Sequence, residues 1–447
     1  MSRALRCSAA AAMLALAPAA LHAQLPDAST RALGMAGAYS ALARGYEAVH
    51  WNPAMLATRN QPGVSIGLPQ TQFEFGSNAY GFGDFRRYSE EVLTDADKQY
   101  LLDQVDSTLD LRSYLGIAPF SLQIGNFALS FGTAGDARAG LGKDAVELAL
   151  FGNASRSGPG EFFTAAGSNA RGWAASTLAF SFAMPFRIPM GRLSAGVTAK
   201  KIWGHGVGLG RETSSQFAVN PNFTATAAGH AIYTDYDDDF EADGIGDILG
   251  GEGSPGSGFG LDLGAALELR HGLTVGVTLV NAIGSMSWDE SRFRYDRVSY
   301  QVTQAGSGAV QDTLIQDSLI GQAAIEGDAI ARGLRDSLLE EADFARLVRA
   351  GASYQLGKLR LGGMIQLRLT SGLDRHPSQY VAAGAEYVLL GILPLRAGIG
   401  TDFSSSLTLS GGSGLHLGPV KLDVSIAHAT GNERPGVKVG AGIGLMF

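Results

Sequence analysis

Along most of the chain the apolar positions recur at every second residue. Between Val420 and Ile426, apolar Val420, Leu422, Val424 and Ile426 alternate with Lys421, Asp423 and Ser425. From Lys358 to Leu369 the odd positions are mostly apolar. Val437, Val439, Ala441, Ile443, Leu445 and Phe447 alternate with Gly436, Lys438, Gly440, Gly442, Gly444 and Met446. Residues 193–200, 261–270, 273–279 and 348–356 follow the same rule. Successive side chains of a strand point to opposite faces, so each segment predicts a strand with one apolar and one polar face. The longest apolar stretch, 381–400, is interrupted by Glu386, Pro394 and Arg396, and it does not predict a membrane helix.

Two architectures use such strands. A soluble sandwich, or a glycine-rich exported adhesin, buries the apolar face in its core. A transmembrane antiparallel β-barrel shows that face to lipid and turns the polar face to its lumen. Strands of about ten residues suit a tilted bilayer crossing. The chain start reads as an export signal: Arg3 and Arg6, an apolar run from Ser8 to Ala20, and small residues before Gln24. Cys7 is the one cysteine and precedes that run, so the mature chain has none to pair.

Counting back from a last strand at 436–447 gives candidates at 419–429, 406–416, 394–403, 379–389, 358–370, 346–356, 272–283, 258–270, 192–205, 172–186, 123–134, 110–119 and 62–75. That is about fourteen strands, an even number as bacterial barrels have. The connections then sort themselves. Short turns at 119–121, 187–191, 271, 357, 391–393 and 418 fall on one side. Long connections at 76–109, 135–171, 206–257 and 284–345 fall on the other. Within them, Thr94 and Asp97 predict a capped helix over 94–105, and Ile330, Leu334 and Leu338 predict one over 328–344.

Ahead of the first strand lies an apolar, small-residue segment that is not a strand. It contains Arg31-Ala32-Leu33-Gly34-Met35-Ala36-Gly37-Ala38-Tyr39-Ser40 and, after it, Val49-His50-Trp51-Asn52-Pro53-Ala54-Met55-Leu56. Its position predicts a plug inside the lumen. Leu33 to Ala38 followed by Trp51 to Leu56 resembles the start of the FadL-type outer-membrane transport superfamily, which includes fatty-acid and hydrocarbon transporters and the PorV-like barrels of type IX secretion. Met55 stands where the transporters have Gly, and Ala36-Gly37 where Gly-Gly is common. The resemblance implies a fourteen-stranded barrel at 62–447, a hatch at 24–61 after a signal peptide at 1–23, and gating residues Gly34, Gly37, Trp51, Asn52, Pro53 and Ala54. It implies an outer-membrane location and passive uptake of a hydrophobic small molecule, a long-chain fatty acid or hydrocarbon, bound among apolar residues near the hatch. The alternatives are a PorV-like barrel acting with a secreted protein partner, or a structural barrel without transport. The terminal Phe447 resembles the signal read by the barrel-assembly machinery, a further expected partner beside the lipid bilayer.

Composition narrows the picture. Glycine contributes 61 of 447 residues, hydrophobic residues 45% and charged residues 17%, which excludes a mainly disordered chain. A net charge of −8 without a basic cluster points away from nucleic acid. His50, His205, His230, His271, His376, His416 and His428 are scattered without metal-ligand spacing, and no Gly-x-Ser-x-Gly elbow is present, so neither an enzyme nor a cofactor is expected. Asp239, Glu241 and Asp243, within the acidic run 235–247, resemble half a calcium loop that lacks its final Glu. The polar face carries Lys200, Asp262, Glu268, Arg270, Arg349, Lys358, Arg360, Arg368, Arg396, Lys421, Asp423 and Lys438. These charges are expected to pair across the lumen and to hold the plug. Trp173, Trp203, Tyr354 and Tyr387 suit interfacial girdles. Asn52, polar in an apolar segment, is expected to find hydrogen-bond partners, and Pro53 to keep it out of the helical region. A plug that shifts is expected to rest on a few such bonds rather than on a large greasy interface.

Overall fold

The computed structural model describes residues 29–88, 92–151, 162–218, 222–234, 253–305, 311–373, 377–403, 406–431 and 436–447. The export signal at 1–23, residues 24–28 of the expected hatch, and the calcium candidates Asp239, Glu241 and Asp243 lie outside them.

The strands are β1 (Val64–Ser77), β2 (Thr108–Ile124), β3 (Phe127–Gly142), β4 (Phe162–Phe163), β5 (Asn169–Ile188), β6 (Gly191–Ala218), β7 (Asn222–Thr234), β8 (Gly256–Leu269), β9 (Leu273–Trp288), β10 (Phe293–Ala305), β11 (Gln311–Ile320), β12 (Leu347–Leu356), β13 (Leu359–Arg368), β14 (Gln379–Leu389), β15 (Leu393–Thr401), β16 (Leu407–Leu417), β17 (Val420–Thr430) and β18 (Gly436–Met446). Fourteen close into one antiparallel ring: β1, β2, β3, β5, β6, β8, β9 and β12 to β18, with β18 pairing back to β1. These are the fourteen segments that the alternation marks. The other four, β4, β7, β10 and β11, extend the sheet beyond the ring on the side of the long connections. The ring strands β3, β5 and β6 continue up into those connections, so parts of the long loops are ladder.

The polarity of the ring decides its class. Leu361, Ile365, Ile399, Leu409, Val424 and Ile426 are exposed, while Arg349, Gln366, Glu386, Arg396, Asp423 and Ser425 of the same or neighbouring strands are buried. A sandwich would bury the first set, so that alternative is excluded; an outward apolar face on a closed ring is the arrangement of a membrane barrel. No helix among the described residues is long and apolar enough to cross a membrane.

Three expected details differ. The turn placed at Pro119–Ser121 lies instead at Gly125–Asn126, with Gly125 at φ 56°. Pro119 sits inside β2, where the ladder to β1 is interrupted opposite Leu68–Pro69 and the register slips against β3. A residue without an N–H is tolerated where the ladder is already interrupted. Arg270 and Lys358 are exposed at short turns rather than in the lumen. Trp173 is buried among the loop-side side chains, while Tyr354 and Tyr387 are exposed near the short turns.

Of the expected helices, Asp95–Asp103 carries the Thr94/Asp97 capping box. Ala329–Glu340 is capped by Asp328 and buries Ala331, Leu334, Arg335 and Leu338; Ile330 points away and is exposed. This helix lies across the loop-side mouth. Its apolar face packs with Trp173, Val207, Ile232, Trp288, Phe293 and Tyr295.

Candidate functional site

Residues 29–57 form short helical turns at Thr30–Leu33, Gly45–Glu47, Ala48–Trp51 and Pro53–Ala57, and they fill the lumen. Nearly every residue of the segment is buried. What lets it fit is the absence of side chains on the wall. A Cβ added at Gly398 would lie 2.3 Å from the carbonyl carbon of Met35, and one at Gly362 would lie 2.4 Å from the Ala38 oxygen. At Gly196 it would lie 2.4 Å from the Ala54 nitrogen, and at Gly351 2.2 Å from the Ser40 hydroxyl. Inward-facing glycines on β6, β12, β13 and β15 therefore seat the segment flush on the barrel backbone. The apolar packing of Met35, Tyr39, Leu42, Val49, Met55 and Leu56 completes the contact. The expectation of a plug held by few bonds is overturned by this wide, close interface.

Each of the gating residues expected from the sequence lies at this seam. A Cβ on Gly34 would meet the Ser425 hydroxyl at 2.8 Å. Gly37 adopts φ 85°, the left-handed region, beside Met364, Tyr380 and Trp51. Trp51 packs edge-on to Tyr39 at 5.9 Å and under the Arg349 guanidinium at 4.9 Å, and its carbonyl accepts from the Thr278 hydroxyl at 3.2 Å. Asn52 is extended, at φ −160° and ψ 108°, as the following proline requires. Its Oδ1 accepts from the Ala54 N–H at 3.0 Å, and its Nδ2 donates to the Ala265 carbonyl of β8 at 3.2 Å. Gly264 and Gly276 make room for that amide: a Cβ there would lie 2.3 Å from Oδ1 and 2.8 Å from Nδ2. Pro53 and Ala54 contact Gly196 and Gly264.

A charge cluster ties the segment to the wall. Arg31 donates to Glu47 at 3.1 Å and to Glu386 of β14 at 3.1 Å. Glu386 also accepts from Arg360 and from Arg396, each at 2.7 Å, and Arg396 reaches Asp423 at 2.7 Å. Ser29 and Tyr39 donate to Glu47 at 2.5 and 2.6 Å. Burial and the neighbouring Glu47 raise the Tyr39 phenol well above its ordinary range, so it stays a donor. Glu386, Glu47 and Arg31 were not singled out from the sequence. Register would have found the first: Glu386 stands directly opposite Arg360 on β13 and Arg396 on β15. A second buried cluster sits higher on the wall. Lys200 pairs with Asp262 at 2.6 Å and donates to Asn281, which bulges out of β9 at φ 50°.

Cavities lie on either side of the plug. The loop-side cavity, about 110 Å³, is lined by Trp173, Val207, Leu209, Leu338 and Leu373 and rimmed by Arg138, Arg171 and Arg211. Arg138 pairs with Asp136 at 2.8 Å and Arg171 with Glu341, while Arg211 meets no carboxylate among the described residues. The other cavity, about 510 Å³, opens on the short-turn side between the plug and β13, β14, β16, β17 and β18.

No curated protein matches the chain in sequence. Among solved structures it is similar to the CymD monoaromatic hydrocarbon channel, at 13% identity and TM-score 0.47, over 94% of this chain and 97% of that one. It is similar to the Pseudomonas putida toluene transporter TodX at 12% identity and TM-score 0.45, over 95% and 98%. A Pseudomonas aeruginosa FadL homologue matches at 11% identity and TM-score 0.39, over 93% and 96%. A family model described as a family of unknown function, DUF5723, matches residues 53–406, and the chain belongs to that family.

Proposed function

We propose that the protein is an outer-membrane channel for passive uptake of hydrophobic small molecules, with residues 29–57 as its hatch. The observation that carries the reading is a lumen plugged between two cavities inside a ring whose outer face is apolar. A barrel built only as a scaffold has no use for a cavity on each side of a seated plug. The loop-side cavity joins Trp173, Leu209 and Leu338 to Arg211, which meets no carboxylate among the described residues, a chemistry suited to an apolar tail with an anionic head, as in a long-chain fatty acid. The ligand enters under the helix Ala329–Glu340 and waits above the hatch. The hatch then shifts, and Asn52 is its hinge: it is extended next to helical turns on both sides and is held to the wall by one side-chain bond, to Ala265.

The test is uptake of radiolabelled laurate and of toluene by cells making wild type or Asn52→Ala at matched surface levels. Wild type should raise uptake of at least one, and Asn52→Ala should change that rate several-fold with barrel assembly intact. No wild-type uptake of either would overturn the reading. A second reading, an assembly barrel for a secreted partner, is favoured by the extra sheet β7–β10–β11 standing beyond the ring. It would be taken up if uptake fails and a secreted protein co-purifies through that sheet.

A further inference from the structure

The cavity on the short-turn side is cationic beyond what its own side-chain carboxylates neutralise. Arg31, Arg44, Arg360 and Lys421 line it with His416 and Asp423, and Arg396 stands behind them. The side-chain carboxylates of this cluster are Glu47, Glu386 and Asp423. They are taken by Arg31, Arg360 and Arg396, and His416 also leans on Asp423 at 3.3 Å. Arg44 and Lys421 are the two cations left over. Arg44 gives one hydrogen bond, to the Asn60 carbonyl at 3.3 Å, and Lys421 gives one, to the Gly418 carbonyl at 2.7 Å. Neither meets a carboxylate among the described residues. A guanidinium has five N–H donors and an ammonium three, so most of their donors are unspent.

We propose that this cavity is a binding site for a phosphate group, held between Arg44 of the inner segment and Lys421 of β17. Two surplus cations match a phosphate monoester, which carries about −1.5 to −2 charges at neutral pH, better than a single carboxylate. The guanidinium fork of Arg44 suits two phosphate oxygens. Val388, Met446 and Phe447 at the rim add apolar surface, so the phosphate monoester has two possible sources: a phosphatidate-type lipid head group of the facing leaflet or a soluble phosphorylated compound. Burial first, then the nearby Arg360 and Arg31, lowers the Arg44 pKa to about 10, a strain that an anion between the cations would relieve. Because Arg44 belongs to the plug and Lys421 to the wall, a bound phosphate would also fasten the two together.

The test is equilibrium binding to the detergent-purified full chain. The probes are inorganic phosphate, phosphatidic acid in mixed micelles, and lauric acid as carboxylate control. Wild type is compared with Arg44→Gln/Lys421→Gln and with the charge-preserving Arg44→Lys/Lys421→Arg, each shown to be a heat-modifiable barrel. The Gln pair should weaken phosphate binding about tenfold or more, as loss of one to two charge-assisted hydrogen bonds implies, and the Lys/Arg exchange should keep most of it. Loss in the inorganic arm marks a soluble source; loss in the lipid arm alone marks a head group. If the Gln pair does not assemble, Lys421→Gln alone, at the cavity rim, should still weaken binding about threefold on the same scale. Binding of both phosphate probes unchanged by these variants, or tighter binding of lauric acid through the same two residues, would overturn the proposal.

Discussion

At the scale of single residues, the lumen is governed by what glycine leaves out and by what Glu386 holds in. Gly196, Gly351, Gly362 and Gly398 let the inner segment approach the wall closely, so part of the high glycine content is a seating surface for residues 29–57. Glu386 is 1% exposed and faces Arg31, Arg360 and Arg396 at once. Removing one partner of a buried ion cluster leaves charges uncompensated and costs about 3–5 kcal/mol. Glu386→Gln should therefore lower the unfolding midpoint in detergent and open residues 29–57 to protease. An unchanged midpoint with an intact N-terminal segment would show that Arg31 finds its compensation elsewhere. The sequence displayed Asn52-Pro53 because proline constrains its predecessor locally. It hid Glu386, which reads as an interruption of an apolar run until the register sets it against arginines on both neighbouring strands.

At the scale of elements, period-two alternation found all the ring strands, because each residue's face is fixed by its own position in the strand. Capping was equally legible: Thr94 and Asp97 bond each other's backbone as a local motif must. The buried face of Ala329–Glu340 was not, since Ile330 and Ala331 are both apolar and only the wall beneath selects Ala331. The extra strands β7, β10 and β11 escaped because they pair above the ring rather than within it. The helix over the mouth offers its own test. Asp328 accepts from the Ile330 and Ala331 N–H groups at 2.9 and 3.0 Å and meets Arg297 at 3.2 Å. The Ala331 N–H first, then Ile330 and Arg297, holds its pKa below the ordinary carboxylate value. A depressed folded-state pKa means that the cap is at full strength above the unfolded value, about 3.9, and is lost only as pH falls through the folded one. Amide hydrogen exchange over residues 329–340 should thus show constant protection from neutral pH down to about 5, once corrected for intrinsic rates. Asp328→Ala should weaken that protection by about 1 kcal/mol, and Asp328→Asn by less. Equal protection in all three proteins would mean that packing on Trp173 and Ile232 alone holds the lid.

At the scale of the whole molecule, the ring is complete only when β18 meets β1, the first strand made and the last. Their ladder runs from Ser65↔Met446 to Gly76↔Gly436, interrupted at Leu68–Pro69. Phe447 extends the seam by two hydrogen bonds: its N–H donates to the Val64 carbonyl and its oxygen accepts from Gly63, each at 2.9 Å. Phe447 is 64% exposed beside the short turns, so it adds little to internal packing. Backbone and ring can therefore be separated. Phe447→Ala keeps the seam bonds and removes only the aromatic group; deleting Phe447 removes both. The wild-type protein should fractionate with the outer membrane and migrate faster on a gel unheated than boiled, as a closed barrel does. Recovery as a soluble periplasmic protein would end the barrel reading. If the ring is a recognition signal for assembly, Phe447→Ala should reduce the heat-modifiable fraction nearly as far as the deletion does. If the residue acts only by closing the seam, the Ala variant should assemble like wild type and the deletion alone should fall. Full assembly of both variants would leave the seam sealed by Ser65 to Gly76 and would remove Phe447 from any role in closure.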